Sequence, residues 1–226
     1  MAESPFRMAV AEFVGTFTLI FIGGGAGIVT GQDIVAVALA NGLAIGIMVS
    51  NLGHISGGHF NPAITLGFVA TRRIKISLAG VFWVAQFAGA TFAALLLRWF
   101  FHLPAMLGSV PTLKPGFGAG RGMALEMILT FFLVGTVFAT AVDPRGAFKA
   151  VAGLTIGLII SIDVFVGGPI TGAAMNPARA FGPELVSGHW SNAWIYYVGP
   201  ALGGLIAALG YEYLYLKRPQ AAAASS

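Results

Sequence analysis

The sequence predicts an all-α membrane protein with six transmembrane helices and two re-entrant half-helices, built as two inverted repeats of three spans each. Three observations carry this. Only 9% of the 226 residues are charged and 57% are hydrophobic, against roughly 25% charged in soluble domains. Long uncharged stretches recur along the chain, most at or above the ~20 residues that cross a bilayer. Finally, Asn61-Pro62-Ala63 returns as Asn176-Pro177-Ala178, at an offset of 115 residues.

The spans follow from the spacing of charge. Phe13 to Gln32 (20 residues), Ile76 to Leu97 (22) and Leu185 to Tyr211 (27) each accommodate one helix, whereas Ile34 to Thr71 (38) is too long for one. Arg121 to Asp143 and Lys149 to Arg179 are interrupted only by Glu126 and Asp163, and the latter stretch is again long. Six spans fit, with excess length after the second and the fifth. The N-terminus shows no cleavage pattern, since Glu3 and Arg7 lead straight into an apolar segment without a processing site, so the first span is expected to remain.

Six spans place both termini on one side. That side collects Arg7, Arg72, Arg73, Lys75, Arg145, Lys149, Lys217 and Arg218, while the other has Arg98, Lys114 and Arg121. The excess predicts cytoplasmic termini. The chain reads as a single membrane domain: a first repeat over about 6–101, a Pro- and Gly-rich external loop 102–121, a second repeat over about 122–216, and a disordered tail 217–226.

The excess length lies beside each Asn-Pro-Ala. The stretches from Gly53 to Phe60 and from Gly167 to Met175 are glycine-rich and are expected to be irregular. Asn then suits a helix N-cap and Pro the first helical position, so each triplet opens a helix of about ten residues, too short to span. The duplication extends further: Glu12, Thr16 and Phe17 recur as Glu126, Thr130 and Phe131, and Gln86 with Gly89 maps onto Pro200 with Gly203, at an offset of 114. Three spans per half is an odd number, so the second half enters the membrane the other way up. The two half-helices then meet near the midplane with their positive N-terminal ends facing each other. Irregular backbone at that depth must line water or be buried in protein, which predicts a polar pore hostile to cations.

Composition narrows the alternatives. There is no Cys, so no disulfide or thiolate chemistry. A net charge of +4 and a pI near 9.7 suggest nucleic acid in a soluble chain, but here the basic residues sit at span ends, and no nucleic-acid partner is expected. His54 and His59 lie five apart in a glycine loop without a paired carboxylate, unlike a metal-binding His-Glu-x-x-His. No metal, no cofactor and no enzyme activity are expected. A coupled secondary transporter also uses inverted repeats and broken helices and stands as the alternative; it usually needs a titratable midplane site, where this chain has neutral Asn.

The doubled Asn-Pro-Ala, the block Ser56-Gly57-Gly58-His59-Phe60-Asn61-Pro62-Ala63 and the run from Met175 to Pro183 resemble the aquaporins, or major intrinsic proteins, over Ala9 to Leu216. The segment from Gly167 to Pro183 is similar to the plant tonoplast type as well as to microbial members. The resemblance implies a passive water channel that excludes protons and ions, set in lipid as a homotetramer with one pore per subunit. It implies that Asn61 and Asn176 turn amide N–H groups to the pore centre, with Pro62, Pro177, Ala63 and Ala178 structural. Backbone carbonyls of Gly57, Gly58, His59 and Phe60, and of Gly172, Ala173, Ala174 and Met175, form the implied acceptor ladder.

Arg179 matches the arginine of the family's external constriction, with a salt bridge to Asp163 or Glu184 as the competing account. Spacing from the two Asn carries the other filter positions to Asn41, Val164 and Ala173. Water-selective members resemble Phe, His and a small residue there, and glycerol channels have bulky aromatics at two positions. This chain matches neither, and Ala180 departs from the Asp common in glycerol channels. The expected constriction admits water and, beyond it, small neutral solutes such as ammonia, urea or glycerol. Glu12 and Glu126 are expected to accept N–H groups of the re-entrant loops from buried carboxylates. Asp163 reads first as a hydrated residue at the outer mouth, with pairing to Arg179 or gating as alternatives. Short tails suit a microbial plasma membrane.

Overall fold

The computed structural model describes residues 3–145 and 151–216; Lys149 and the tail 217–226 lie outside them. The described chain forms helices and no strand: α1 (Pro5–Val29), α2 (Ile34–Ser56), the short α3 (Pro62–Ala70), α4 (Ile76–Met106), α5 (Ala119–Val142), α6 (Ala152–Thr171), the short α7 (Pro177–Ser187) and α8 (Ile195–Tyr211). Helices α1, α2, α4, α5 and α6 are long and apolar enough to cross a membrane. Helix α8 has 17 residues and gains its remaining length from a π-helical end, Glu212–Leu216. Together they form six spans.

Local chemistry sets the ends. Ser4 caps α1 through a bond from Arg7 N to Oγ, with Pro5 in the first turn, and Asp33 caps α2 by accepting from Ala36 N at 2.8 Å. Helices α2 and α6 stop at glycines in the left-handed region, Gly57 (φ 96°) and Gly172 (φ 86°). The irregular loops are therefore shorter than expected. Gly53 to Ser56 and Gly167 to Thr171 are helical, and only the five residues from Gly57 to Asn61 and from Gly172 to Asn176 are not. Glycine inside a packed helix costs only about 1 kcal/mol; positive φ, not glycine content, ends the helix. The expected external loop 102–121 is likewise partly helical. The chain kinks at His102 (φ 57°), restarts with Pro104 in the new first turn, runs to Met106, makes a 3-10 turn over Leu107–Ser109, and begins α5 at Ala119.

Packing repeats across the two halves. Helix α1 packs on α4 as α5 packs on α8, α3 packs on α8 as α7 packs on α4, and α2 crosses α6 at the centre. The close approaches use paired glycines. A Cβ on Gly89 would lie 2.4 Å from the Phe13 carbonyl oxygen, and one on its mate Gly203 would lie 2.0 Å from that of Met127. Gly42 and Gly157 face each other in the same way across α2 and α6. Large apolar side chains such as Val84, Trp99, Leu154 and Leu214 are exposed on the outside, as a lipid-facing surface requires.

The last described turn, Glu212–Leu216, is held by charged side chains. Arg73 Nε donates to Glu212 Oε2 at 2.9 Å. Arg145 grips both oxygens of Asp143 and donates to the Tyr215 carbonyl at 2.6 Å, while Tyr211 donates its hydroxyl to Asp143.

Candidate functional site

The N-termini of α3 and α7 meet in the interior, and each opening Asn does two things. Asn61 Oδ1 accepts from Ala63 N at 2.8 Å, capping its own helix, while Nδ2 donates to the Met175 carbonyl at 2.9 Å in the opposite loop. Asn176 Oδ1 accepts from Ala178 N and Arg179 N, and Nδ2 donates to the Phe60 carbonyl at 2.9 Å. The two loops are thus tied by a reciprocal pair of hydrogen bonds. An amide carries two N–H donors, so each Asn keeps one beyond this tie. Ala63 and Ala178 are fully buried behind the junction, beside Pro62 and Pro177 in the first turns.

The loop backbones are held in the same uncommon conformation. Gly58 (φ 66°) and Phe60 (φ 49°) in the first loop match Ala173 (φ 43°) and Met175 (φ 51°) in the second. For Phe60, Ala173 and Met175 the left-handed region costs about 1–3 kcal/mol each and persists only where surroundings enforce it. Two fully buried carboxylates do so. Glu12 accepts from His59 N (3.0 Å), Phe60 N (2.6 Å), Ser56 Oγ (2.6 Å) and Gln86 Nε2 (2.7 Å). Glu126 accepts from Ala174 N (3.0 Å), Met175 N (2.7 Å) and Thr171 Oγ1 (2.6 Å). The hydroxyls of Ser56 and Thr171 were not singled out from the sequence, although they too stand 115 apart. Tyr196, whose hydroxyl donates to the Thr171 carbonyl at 2.8 Å, gives no comparable signal.

A narrow cavity runs past this junction, lined by residues of both loops. One strip of its wall is polar backbone and amide: Gly58, His59, Phe60 and Asn61, then Ala173, Ala174, Met175 and Asn176. Apart from Asn41 and Arg179, the rest is apolar, with Leu19, Ile45, Ile64, Leu133, Ile156, Ile160 and Val164. Gly57 is not on this wall, and Gly172 lines the adjoining vestibule instead, because both serve as helix-ending residues one step earlier. The His59 ring is turned into protein, with Nδ1 3.0 Å from Thr65 Oγ1 and the ring against Phe68 and Phe82.

Asn41, Val164, Ala173 and Arg179 all line the cavity, and Arg179 also lines the adjoining vestibule. Arg179 Nη1 donates to the Ser109 carbonyl at 3.3 Å, and among the described residues the arginine makes no salt bridge. The pairing with Asp163 or Glu184 is not formed; Glu184 accepts from the Tyr197 hydroxyl at 2.7 Å instead. Asp163 is not at a hydrated mouth either. It is 2% exposed inside α6, and its Oδ2 has no hydrogen-bond partner. One residue before Val164 is a turn of ~100° around the helix, enough to take Asp163 off the cavity wall. Among the described residues no group of three His, Asp or Glu is placed to hold a metal ion.

Comparison with known proteins bears on this arrangement. The family model for the major intrinsic proteins matches residues 2–211. "Aquaporin TIP4-4" of Zea mays is 43% identical over 222 residues, covering 93% of this chain and 87% of its own. "Probable aquaporin TIP3-2" of Arabidopsis thaliana is 44% identical over 229 residues, covering 93% and 84%. The crystal structure of the aquaglyceroporin from Plasmodium falciparum superposes with a TM-score of 0.85 at 26% identity, covering 93% of this chain and 97% of that one. With paired half-helices, reciprocally tied Asn residues and a cavity between them, the chain belongs to the major intrinsic protein family, the aquaporins.

Proposed function

We propose that the protein is a passive channel for water and small neutral solutes that rejects protons and ions. The reciprocal Asn61 and Asn176 tie carries the reading. It leaves one N–H donor from each Asn at the point where two helix N-termini converge. A water passing there accepts from both through its oxygen, so its hydrogens point along the pore in opposite directions. That breaks the donor chain a hopping proton needs, and the converging positive helix ends oppose any cation. Between these donors and the mouths, the free lone pairs of the loop carbonyls replace bulk hydration along one wall, and the apolar wall opposite makes no competing bonds.

At the constriction, Arg179 donates to permeants and repels cations, while Asn41, Val164 and Ala173 leave an opening without aromatic rings. Urea, ammonia and glycerol are the solutes expected to follow water. Glu12 and Glu126 act structurally, as acceptors that hold the loop backbones in place. The protein works as a homotetramer with its termini in the cytoplasm, and it is a channel rather than an enzyme. The TIP-type relatives favour a vacuolar membrane over the plasma membrane, and we place it there; fractionation of the native cells against markers for both membranes checks the assignment.

Stopped-flow light scattering on proteoliposomes tests the function. Shrinkage in sucrose should be fast with low activation energy, and reswelling should follow with urea or glycerol. Saturable, ion-dependent uptake without passive water flux would overturn the channel reading. Water flux with all three solutes rejected would overturn the wide constriction.

A further inference from the structure

We infer that Gly23 sets the aperture of the constriction by giving the Asn41 amide a place to lie, which makes it a specificity-determining positioning residue; this rests on the channel reading above. Asn41 lines the same cavity as Arg179, and its side chain is held from two sides. Its Nδ2 donates back along α2 to the Val37 carbonyl at 2.8 Å. The flat amide then lies against the backbone of α1 at Gly23. A Cβ built there would stand 2.2 Å from Asn41 Oδ1, 2.6 Å from Cγ and 2.9 Å from Nδ2. All three distances are below any real contact, so even one methyl group expels the amide.

Helix α1 is unusual at that level. Residues Leu19–Gly24 form a π-helical segment, with Gly23 buried within it, and such insertions are frequent at functional sites. The side chain of Asn41 has little room elsewhere. Its chain neighbour Gly42 is pressed on Gly157 and Ser161 of α6, which closes that flank. Displaced from Gly23, the amide loses the bond to Val37 and swings into the lumen toward Arg179. Gly23 itself lines the vestibule beyond the constriction rather than the cavity inside it, so its influence on the aperture acts through Asn41.

The test uses the full chain in proteoliposomes and compares the parent with Gly23→Ala, Asn41→Ala and the double variant. The readout is permeability to the largest of water, urea and glycerol that the parent passes. Gly23→Ala is expected to lower it about tenfold, the discrimination that a methyl-sized change in a pocket can produce, with a smaller loss for any smaller permeant. Asn41→Ala in the same chain should restore it, because the group being displaced is gone. Asn41→Ala alone, with Gly23 intact, should raise permeability to the next larger solute, which keeps the inference testable if Gly23→Ala fails to fold. Gly25→Ala, whose Cβ would meet only Leu97 at 3.4 Å, should leave the profile unchanged. An equal loss for all permeants, a loss that the double variant does not restore, or an unchanged profile in Asn41→Ala overturns the inference. Absence of water flux in the parent overturns the channel reading instead.

Discussion

The two ends of the cavity are built from equivalent positions with opposite chemistry. At the offset of 115, Asn41 corresponds to Ile156, Val164 to Val49, Ala173 to Gly58 and Arg179 to Ile64. Ile156, Gly58 and Ile64 also line the cavity. One end therefore carries an amide and a guanidinium, and the other carries isoleucines. The scaffold repeats faithfully: the left-handed loop residues, the Asn tie and the glycine crossings all occur twice. On the proposed channel reading, discrimination sits at one end only, where a few unpaired substitutions decide what enters the path that the duplicated fold supplies. The supporting carboxylates differ as well. Glu12 collects four hydrogen bonds and Glu126 three, because the mate of Gln86 is Pro200, which has no donor to offer.

Removing those carboxylates should produce the largest effects and expose that inequality. Glu12→Ala strips the acceptor from two buried backbone N–H groups, at about 1–3 kcal/mol each, and leaves Ser56 and Gln86 without it too. It should lower the thermal midpoint in detergent more than Glu126→Ala does; equal losses would mean that the fourth bond contributes nothing.

Next comes the charge at the selective end. Arg179→Ile makes the two ends alike in charge and should raise proton leak by about tenfold or more, read with a pH-sensitive dye trapped in liposomes, while water flux persists. A unit charge ~5 Å away at an effective dielectric near 20 is worth about 3 kcal/mol, ample for that change. Unaltered leak would assign exclusion to the helix ends alone.

The tie itself is symmetric, and its loss should be too. Asn61→Ala and Asn176→Ala each remove one cross-loop hydrogen bond and one cap, about 1 kcal/mol apiece. Matching shifts in thermal midpoint are expected, and a clear difference would show that the halves do not share the load. The smallest effect lies outside the membrane, where the hydrogen bonds from Arg145 hold the Asp143 carboxyl well below the usual carboxylate range. A lowered folded value contributes stability above the unfolded value, near 4, and loses it only as the pH falls through the folded one. The midpoint of the parent should therefore change little between pH 8 and pH 5 on this account, and Asp143→Asn should lower it by the same small amount throughout. A gap between the two that closes on approaching pH 5 would break that assignment.

Much of this architecture was legible in the residues because bilayer and repeat constrain them strongly. Apolar length gave the spans, and Asn-Pro marked the start of both half-helices, since cap and first-turn preferences act locally. Other features escaped for equally physical reasons. The helical state of Gly53 to Ser56 depends on where φ first turns positive, at Gly57, and composition does not report φ. Asp163 was misjudged because a one-residue rotation around the helix decides which way a side chain faces.

The sequence by itself determined the lipid setting, the duplication and the two Asn-Pro-Ala junctions, because each follows from hydropathy, chain length or backbone preference along the chain. Only the tertiary structure decided that each Asn binds the opposite loop, that Arg179 is free of any carboxylate among the described residues, and that Gly23 lies under Asn41. Such features depend on residues of different helices brought within a few ångströms of one another. No local preference encodes them, because they exist only when separate helices are packed together.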